Sequence, residues 1–293
     1  MKLLFVINPI SGGKTKTDWE THIREYFKTS EHQMEFFILS GKGDESSVNH
    51  YIDTIRPDRV AAVGGDGTIK MIAEIVQHKD IPLAIIPAGS ANGMAKELNI
   101  PADIDVALEI AVNGEVKPID LIRINDKEIC IHLSDLGLNA MLVKYFEASK
   151  ARGMWSYGKA IFRVMWEKQK MYVTIASDDT EIKRKAYMVV LANARKYGTG
   201  ANINPEGDVS DGYFEVVIVR KLNVIEIMKA ILTNKPFEKR RIEVIKTKKA
   251  MITTLKRTYF QVDGEYRGKI DRLTASIAPA QLKLLQPKVQ ADQ

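Results

Sequence analysis

Short apolar runs alternate with helical periodicity over residues 1–118. Apolar runs of about four to eight residues between turn residues are typical of buried strands, and apolar residues three or four apart are typical of amphipathic helices. The pattern therefore predicts strands near 2–8, 34–39, 59–63 and 83–87. It predicts helices near 15–28, 45–55, 68–78, 91–98 and 103–112. This alternation indicates an α/β fold built on a parallel sheet.

From residue 119 onwards the pattern is mainly that of strands. Its β-branched or alternating apolar runs predict a mainly antiparallel β domain. The runs are Pro118–Ile124, Met171–Ala176, Ala186–Ala192, Tyr213–Val219, Ile242–Ile245, Thr258–Val262 and Leu282–Leu285, with helical patterns between them near 139–150, 154–168 and 223–233. Because no linker rich in Pro, Gly or Ser is present, we expect domains at 1–118 and 119–293 that pack closely, with a cleft between them. The last residues are candidates for packing back on the first domain.

The turn after the third predicted strand is the most informative stretch of the chain. It reads Gly64-Gly65-Asp66-Gly67-Thr68 and leads directly into a helical pattern. Glycines let the backbone approach a phosphate, and the N–H groups at a helix N-terminus point towards it. A carboxylate at Asp66 would be placed to meet the magnesium that accompanies a nucleotide. A tight turn in which Thr68 caps the helix explains the same residues, so the turn alone leaves both interpretations open.

Two further strand ends carry similar small, polar turns. The first is Asn8-Pro9-Ile10-Ser11-Gly12-Gly13-Lys14-Thr15, which approaches a P-loop but has Asn8 where that motif needs glycine. A Gly-rich turn near phosphate and a plain strand-to-helix turn both remain possible for it. The second is Pro87-Ala88-Gly89-Ser90-Ala91-Asn92-Gly93. Since parallel strands end at one edge of a sheet, the three turns should converge, and this favours a nucleotide site.

Composition narrows the class of protein only modestly. The chain has 293 residues, 45% of them hydrophobic, and a net charge of +6, which suits an anionic partner without selecting one. The single cysteine, Cys130, excludes an internal disulfide framework and a cysteine-based zinc site, and favours a cytoplasmic location. No apolar run approaches the roughly 20 residues of a membrane span. The five histidines show no spacing typical of metal ligands.

The turn motifs together resemble a known family. Asn8-Pro9 with Ser11-Gly12, the Gly64–Thr68 motif, and Gly89-Ser90 with Asn92 look like the catalytic domain of the diacylglycerol kinases. More narrowly, they resemble the soluble bacterial diacylglycerol and lipid kinases, which are related to sphingosine and ceramide kinases. The resemblance continues through the second domain, in motifs beginning at Asn193, Gly198, Asp208 and Val262. It implies a first domain like that of phosphofructokinases and NAD kinases.

The resemblance also implies roles for particular residues. ATP would contact the first, second and third turns, at Asn8, Pro9, Ile10, Ser11, Gly12, Ser40, Gly64, Gly65, Asp66, Gly67, Thr68, Ile69, Lys70, Ser90 and Asn92. Asp66 would orient the phosphates and Mg²⁺, and Glu265, with Asp263 two residues before it, would supply the general base. A structural magnesium site would use the Asp211 carboxylate with backbone oxygens of Asp208 and Tyr213, an oxygen-only set that Mg²⁺ prefers.

The second-domain motifs also have purely structural interpretations. Asp263-Gly264 is a strong signal for a β-hairpin turn, with Glu265 merely solvated, and the Asp208–Gly212 stretch is typical of a turn between strands. Two positions depart from the bacterial family: Gly93 replaces an acidic residue, and residues 134–139 match only loosely. Both departures fall where the lipid acceptor is expected, so they bear on its identity.

Two segments are candidates for contact with a membrane surface. Residues 154–168 combine aromatic and basic side chains, as interfacial helices do, although an amphipathic helix packed on its own core has the same pattern. Residues 235–257 hold nine Lys or Arg residues, which would attract anionic lipid or form a solvated strand face. No recognition motif for nucleic acid accompanies these charges.

The sequence therefore predicts an ATP- and Mg²⁺-dependent lipid kinase, with diacylglycerol the first candidate acceptor and phosphatidic acid the product. Kinases of a sphingoid base or of NAD are the alternatives within enzymes. A catalytically silent nucleotide-binding module is the alternative outside them. We expect a cytoplasmic protein, peripheral at the membrane, with a lipid partner and no nucleic-acid partner, and a homodimer is one candidate for its oligomeric state.

Overall fold

A computed structural model of the chain describes residues 1–11, 16–147, 163, 164, 167, 169–178, 180–195, 203–221 and 242–288. Gly12, most of the predicted helix at 154–168 and the one at 223–233 lie outside the described residues, as do residues 235–241 of the basic segment. The chain forms two compact units. Residues 1–119 and 280–293 make the first, and residues 120–279 make the second.

The first unit is a parallel sheet with helices connecting its strands. Its strands β1 to β4 lie in the order β2-β1-β3-β4, and each pairs parallel with its neighbour. The strands are β1 (Lys2–Ile7), β2 (Gln33–Ile38), β3 (Arg59–Gly64) and β4 (Leu83–Pro87), and the helices are α1 (Lys16–Tyr26), α2 (Asp44–Ile55), α3 (Asp66–Val76), α4 (Gly93–Glu97) and α5 (Ile104–Asn113). The predicted α/β fold with a parallel sheet is confirmed.

Nearly continuous apolar runs explain why the central strands are buried on both faces. Residues 3–7 of β1, 60–64 of β3 and all of β4 are buried. Strands covered by helices on both sides read as apolar runs rather than as alternating patterns. Arg59 of β3 holds the C-terminal end of α5. Its guanidinium donates to the carbonyl oxygens of Ala111 and Val112 at 2.9 and 2.6 Å. Burial lowers the pKa of that guanidinium.

The end of the chain completes the first sheet. The long strand β14 (Glu265–Gln286) begins in the second unit and ends in the first, where Leu284 pairs parallel with Leu83. The side chains of Leu282, Leu284 and Leu285 are buried there, at 1%, 0% and 0% exposure. A segment remote in sequence therefore supplies part of the first unit's core.

The second unit is mainly antiparallel. One sheet runs β12-β11-β10-β7-β13-β14, and β8 and β9 add to β13. The strands are β5 (Glu115–Ile124), β6 (Glu128–Cys130), β7 (Leu133–Gly137), β8 (Met171–Ser177), β9 (Glu181–Ala186), β10 (Met188–Ala192), β11 (Phe214–Val219), β12 (Ile242–Thr247) and β13 (Lys249–Val262), with helix α6 (Leu138–Glu147) after β7. A core of aliphatic and aromatic side chains, including Phe214 and Phe260, lies against this sheet.

The predicted antiparallel region is confirmed, but the sequence pattern missed β6, β7 and β9, residues 249–257 of β13 and most of β14. All five residues of β7 are buried, yet two of them are Ser134 and Asp135, so no apolar run marks the strand. Most of β14 carries charged residues between apolar ones on a half-exposed face. Within the described residues, no helix is both long and apolar enough to cross a bilayer.

The contribution of the chain end can be measured. Leu284→Ala should lower the free energy of unfolding by about 2–5 kcal/mol, because it leaves a cavity in the first unit's core. Urea unfolding measures the loss. The neighbouring Lys283→Ala, which removes only a surface ion pair with Asp80, should cost less than about 1 kcal/mol. Equal losses in the two variants would contradict the placement of Leu284.

Candidate active site

In the first unit, the turns predicted to bind nucleotide leave the carboxyl ends of neighbouring strands. The ladder continues just past the strand ends: the Asn8 N–H donates to the Val63 carbonyl, and the Ala88 N–H donates to the Gly64 carbonyl, each at 2.9 Å. The Leu39 N–H likewise donates to the Ile7 carbonyl at 2.9 Å. The structure therefore brings the turns at Asn8, Gly65 and Gly89 and the Ser40 loop to one edge of the sheet.

Asn8 ties the first turn to the start of α3. Its amide nitrogen donates to the Thr68 hydroxyl at 3.1 Å, and its amide oxygen accepts the Ile10 N–H at 3.2 Å. Ile10 itself is 72% exposed, so it is available at the surface of this edge. The turn is thus shaped by the side chain that the sequence motif begins with.

Asp66 ties the second turn to the third. Its carboxylate accepts the N–H groups of Gly93 and Met94 at 2.9 and 3.0 Å. Asn92, with φ of 50°, turns the chain into α4, and its side-chain oxygen accepts the Gly89 N–H at 2.8 Å. These two side chains hold the turn after β4 against the turn after β3.

The two turns approach so closely that glycine is required. A Cβ on Gly89 would lie 2.5 Å from the Gly65 Cα, a backbone atom that cannot swing away. A Cβ on Gly64 would lie 2.4 Å from the Thr68 hydroxyl oxygen. Gly89 therefore allows the two turns to touch, and Gly64 allows Thr68 to fold back within the turn after β3.

Three of the residues expected to contact nucleotide point their side chains inward. Thr68, Ile69 and Lys70 are 6%, 1% and 3% exposed. The helix α3 begins after Gly65 with no side-chain cap, so the alternative in which Thr68 caps it is wrong. The exposed residue at the start of α3 is Gly67, and Gly65 and Asp66 are half-buried. Helix N-terminal N–H groups are suited to bind an anion.

Two further predicted contacts, Ser40 and Ser90, are exposed at the same edge, and Pro9 and Ser11 are half-buried. The Ser40 hydroxyl lies 2.8 Å from the Asp44 carboxylate and 3.0 Å from the Lys42 carbonyl. It is therefore held within its own loop.

In the second unit, Asp263 and Gly264 form the turn between β13 and β14. Their φ values are 49° and 85°, as a two-residue hairpin turn with both central residues left-handed requires. The Asp263 carboxylate accepts the N–H groups of Ile131, His132 and Leu133 at 3.0, 2.9 and 3.2 Å. The hairpin interpretation of this dipeptide is confirmed. Asp263 and Glu265 therefore do not lie on one continuous strand, because the chain reverses between them.

A series of hydrogen bonds between buried polar side chains connects β7 to the same turn. Gln261, 1% exposed, accepts the Gly264 N–H at 2.7 Å with its side-chain oxygen and donates its amide to the Asp135 carboxylate. Asp135, 0% exposed, also accepts from the Asn139 amide at 2.6 Å. The amide of Gln261 thus has a donor and an acceptor role that fix its orientation.

Glu265 differs from these carboxylates in its exposure. Its side chain is 44% exposed, and within the described part of the chain it forms an ion pair with Arg267 at 2.6 Å. Arg267 also donates to Glu128 at 2.7 Å, and the hydrogen bonds to Glu128 are the main cause of the raised pKa of the guanidinium. A carboxylate that is accessible and oriented by a fixed guanidinium can accept a proton from a substrate hydroxyl.

The Asp208–Tyr213 loop was predicted to hold a metal. One Asp211 oxygen accepts the Tyr213 N–H at 3.0 Å, and the other is paired with the Lys246 ammonium at 2.6 Å. The Asp208 carboxylate accepts the N–H and hydroxyl of Ser210 at 2.9 and 2.8 Å. The metal ligands that this loop offers are oxygen atoms, which Mg²⁺ prefers. However, the Lys246 ammonium neutralises the Asp211 carboxylate that would bind the ion. No group of three or more His, Cys, Asp or Glu in the described part of the chain is arranged for a metal.

Glu215 lies behind this loop with a perturbed titration. Burial raises its pKa, the Asn204 amide at 2.6 Å opposes that rise, and the charges of Asp211 and Asp208 add to it. The loop is also tied to β5, because the Gly212 N–H donates to the Asp120 carboxylate at 2.6 Å.

Several of these residues gave no signal in the sequence. Asp135, Gln261, Arg267, Glu128 and Glu215 lie in strands whose polar positions looked like solvent-facing ones. Only spatial pairing shows their roles. Asp66 lies in the first unit and Glu265 in the second, so the candidate residues are distributed over both.

Two family descriptions match the chain. Residues 2–124 match the diacylglycerol kinase catalytic domain, and residues 134–286 match the YegS C-terminal NAD kinase beta sandwich-like domain. A diacylglycerol kinase of Staphylococcus epidermidis is 27% identical over 221 residues, 73% of this chain and 69% of that protein. One of Staphylococcus aureus is 28% identical over 221 residues, 73% and 70% of the two chains.

Solved structures show the same fold. A putative diacylglycerol kinase from Bacillus anthracis superposes with a TM-score of 0.78 at 20% identity, over 98% of this chain and 97% of that one. A second crystal structure, of a diacylglycerol kinase from the same organism, gives a TM-score of 0.74 at 19% identity, over 98% and 97%. At such identities the likeness concerns the fold alone.

The structural role of Asp263 predicts a loss of stability on its replacement. Asp263→Ala should lower the free energy of unfolding by at least ~2 kcal/mol, because it leaves the N–H groups of residues 131–133 without their acceptor. Asp263→Asn keeps one acceptor oxygen and tolerates the left-handed turn, so its loss should be intermediate. Urea unfolding compares them with Asp271→Ala, an exposed carboxylate on β14, which should change stability by less than about 0.5 kcal/mol. An Asp263→Ala protein as stable as that control would contradict the role.

The raised pKa of Glu215 predicts that its contribution to the free energy of unfolding falls as pH rises. Because its pKa is raised in the folded state, folding becomes less favourable as pH rises from the unfolded value of about 4.3 to the native pKa, and the penalty is complete above it. Glu215→Gln keeps an oxygen for Asn204 without the charge. Measured by urea unfolding with EDTA present, the variant should match the native chain near pH 4 and exceed its stability at pH 8.

Glu243→Gln provides a control of opposite sign. The hydrogen bond from Arg184 lowers the pKa of Glu243, so its ionised form stabilises the fold above the unfolded pKa, and this stability is lost as pH falls through the native pKa. The control variant should therefore be less stable than the native chain at pH 8. A Glu215→Gln protein that also loses stability at pH 8 would overturn the assignment.

Proposed function

The chain belongs to the diacylglycerol kinase catalytic-domain family, and from this membership we propose that it transfers the γ-phosphate of ATP to the hydroxyl of diacylglycerol. The family's activity is that of a lipid kinase. What we propose for this chain in particular is ATP as the phosphate donor, Mg²⁺ as the metal and diacylglycerol as the acceptor. The observation that carries it is the convergence of three small-residue turns, joined by Asn8 and Asp66, at one edge of a parallel sheet.

This edge suits the phosphates of a nucleotide. Gly67 is exposed in the first turn of α3, and Gly65 and Asp66 are half-buried, whereas Thr68, Ile69 and Lys70 are buried. Backbone N–H groups bind phosphate oxygens, and this contact does not depend on which hydroxyl group accepts the transferred phosphate. The first unit is therefore assigned to ATP.

Asp66 has a defined part in this assignment. Both of its carboxylate oxygens accept backbone N–H groups, so the side chain is fixed in position. A carboxylate has lone pairs left over after one hydrogen bond to each oxygen. Mg²⁺ brought by ATP would neutralise phosphate charge beside it, and Asp66 would orient that pair.

Glu265 is assigned as the general base. The acceptor oxygen forms a bond to the γ-phosphorus, the bond from that phosphorus to the bridging oxygen breaks, and ADP leaves. Glu265 takes the hydroxyl proton. Phosphoryl transfer depends mainly on positioning and charge stabilisation, and a placed carboxylate of this kind adds about 10²- to 10⁴-fold. Arg267 and Glu128 act as positioning residues, because they orient Glu265 without touching the reacting atoms.

The structural metal is assigned to the Asp211 loop. Mg²⁺ there would be held by the Asp211 carboxylate and by backbone oxygens of Asp208 and Tyr213. Binding would have to displace the Lys246 ammonium from Asp211. It would also offset the like charges that raise the pKa of Glu215.

Two other functions compete with this one. A sphingoid base or another hydroxylated molecule, NAD included, is an alternative acceptor, favoured by the departures from the bacterial family at Gly93 and residues 134–139. A silent nucleotide-binding module is the alternative outside enzymes. The exposed, oriented carboxylate of Glu265 argues against it, since a module needs no accessible base.

The test is transfer of labelled phosphate from ATP to diacylglycerol in mixed micelles. We expect Mg²⁺-dependent transfer that falls by about 10²- to 10⁴-fold in Glu265→Gln, because the amide cannot accept the proton. Asp271→Asn, an exposed carboxylate on the same strand, is the matched control and should keep native activity.

The outcomes separate the candidate functions. Transfer only to sphingoid or other acceptors would replace diacylglycerol. ATP binding without transfer to any of them would favour the silent module. Transfer that persists in Glu265→Gln would keep the kinase and overturn the base.

A further inference from the structure

One strand of the second unit presents an apolar side chain away from the core at an irregularity. On β13, Thr253 lies opposite Arg272 and Thr258 lies opposite Ile270, so the residues at 254–257 face a single residue of β14. This widening, a bulge, pushes Leu255 outward. Leu255 is 78% exposed, the highest value among the large hydrophobic side chains of the described residues.

The bulge is held in shape rather than left open. The Thr254 hydroxyl donates to the Lys256 carbonyl at 2.9 Å, and the Arg257 guanidinium donates to the Lys269 carbonyl at 2.6 Å. These bonds fix the backbone on both sides of Leu255. The exposure of an apolar side chain is thus built into the fold.

A second apolar side chain extends the same surface. Tyr172, on the adjacent strand β8, is 56% exposed. Two cavities of about 630 and 670 Å³ are each lined in part by Tyr172 and Leu255. We call the surface made by Leu255, Tyr172 and the charged residues that line these cavities the bulge surface.

The charges around this apolar centre are almost all positive. The cations that line the cavities are Lys170, Lys183, Lys185, Lys256, Arg257 and Lys269, together with Arg184 and Arg220, which pair with Glu243 at 2.7 and 3.8 Å. Glu167 is the one acid among the described lining residues, and Arg163 pairs with it at 2.8 Å. Lys185 lies 4.9 Å from the centre of the Tyr172 ring.

This combination of an apolar tip and a cationic surround fits one chemistry. Lys and Arg side chains can extend towards anionic headgroups while their stems cover apolar surface, and a Leu beside them can enter the boundary with the acyl chains. A nucleic acid would use the cations but has no place for the leucine. We propose that the bulge surface docks on the surface of a bilayer containing anionic lipid, with Leu255 as the inserted residue.

The inference rests on the proposed function only in that a lipid kinase needs such a contact. It assigns the contact to Leu255, Lys256 and Arg257 rather than to the aromatic segment at 154–168. Binding to vesicles does not require turnover. The docking surface can therefore fail while the kinase stands, and the reverse.

The first experiment is sedimentation with vesicles of phosphatidylcholine alone or mixed with phosphatidylglycerol. The intact protein should bind the anionic vesicles and not the neutral ones. Lys256→Gln with Arg257→Gln should weaken binding by about 25-fold, or about fivefold for each charge. Leu255→Asp should weaken it by at least about tenfold, since it removes the insertion and adds repulsion. Val106→Asp, equally a change at an exposed apolar residue (44%) but in the first unit, should weaken it much less.

A labelled variant tests insertion directly. Cys130 is the only cysteine of the chain and is 0% exposed, so Leu255→Cys offers a single accessible thiol for an environment-sensitive dye. The emission should shift to the blue on anionic vesicles, and the same dye at Val106→Cys should not shift. Equal binding by Leu255→Asp and the intact protein, or no shift at position 255, would overturn the proposal. So would binding to single-stranded DNA that competes with vesicles and depends on the cations but not on Leu255.

Turnover separates this proposal from the proposed function. On a dispersed short-chain diacylglycerol, Leu255→Asp should match the intact protein, and on long-chain diacylglycerol in vesicles it should fall with binding. If the intact protein binds the vesicles but phosphorylates neither diacylglycerol, diacylglycerol is rejected as the acceptor, whereas the docking surface still stands.

Discussion

Within each of the two units of this protein, aspartate carboxylates that accept backbone N–H groups from a neighbouring loop hold the turns in place. Backbone N–H groups in turns cost free energy when buried without a partner, and the strand ladders do not reach them. The carboxylates reach across to them instead: Asp66 to Gly93 and Met94, Asp263 to residues 131–133, and Asp178 to Lys248 and Lys249. The turns that form the candidate site are positioned by these bonds.

That constraint sorts the acidic residues by what they can do. Both oxygens of Asp263 accept N–H groups of residues 131–133, and Oδ2 of Asp135 accepts from Asn139 and Gln261, so these carboxylates act on the position of the turn. Asp66 is fixed in the same manner but lies at the edge where three turns meet. Glu265 accepts only from a side chain, Arg267, among the bonds described for it, and it remains 44% exposed. Among these carboxylates, it is the one suited to exchange a proton with a substrate.

The two units reach their stability by different means. Continuous apolar strands buried between helices build the first, and the end of β14 completes it at Leu284. The second is an antiparallel sheet whose described residues form three clusters of buried apolar side chains, with polar residues on its exposed face, as along β9. Where that outer face departs from polarity, at Tyr172 and Leu255, the exposed area is small and set among cations. An apolar patch that is kept on a surface calls for a partner.

The sequence by itself determined the parallel sheet of the first unit, because its strands are apolar throughout and end in turn residues. It also determined the hairpin turn at Asp263-Gly264 and, through its motifs, the family. It did not reveal β7, whose buried Ser134 and Asp135 read as a loop, nor the pairing of Leu284 with Leu83. Only tertiary structure decided that Thr68 is buried rather than a cap and that Asp263 holds residues 131–133. Local patterns record which residues avoid water, whereas the partner of a buried polar group is chosen by chain segments more than 100 residues away.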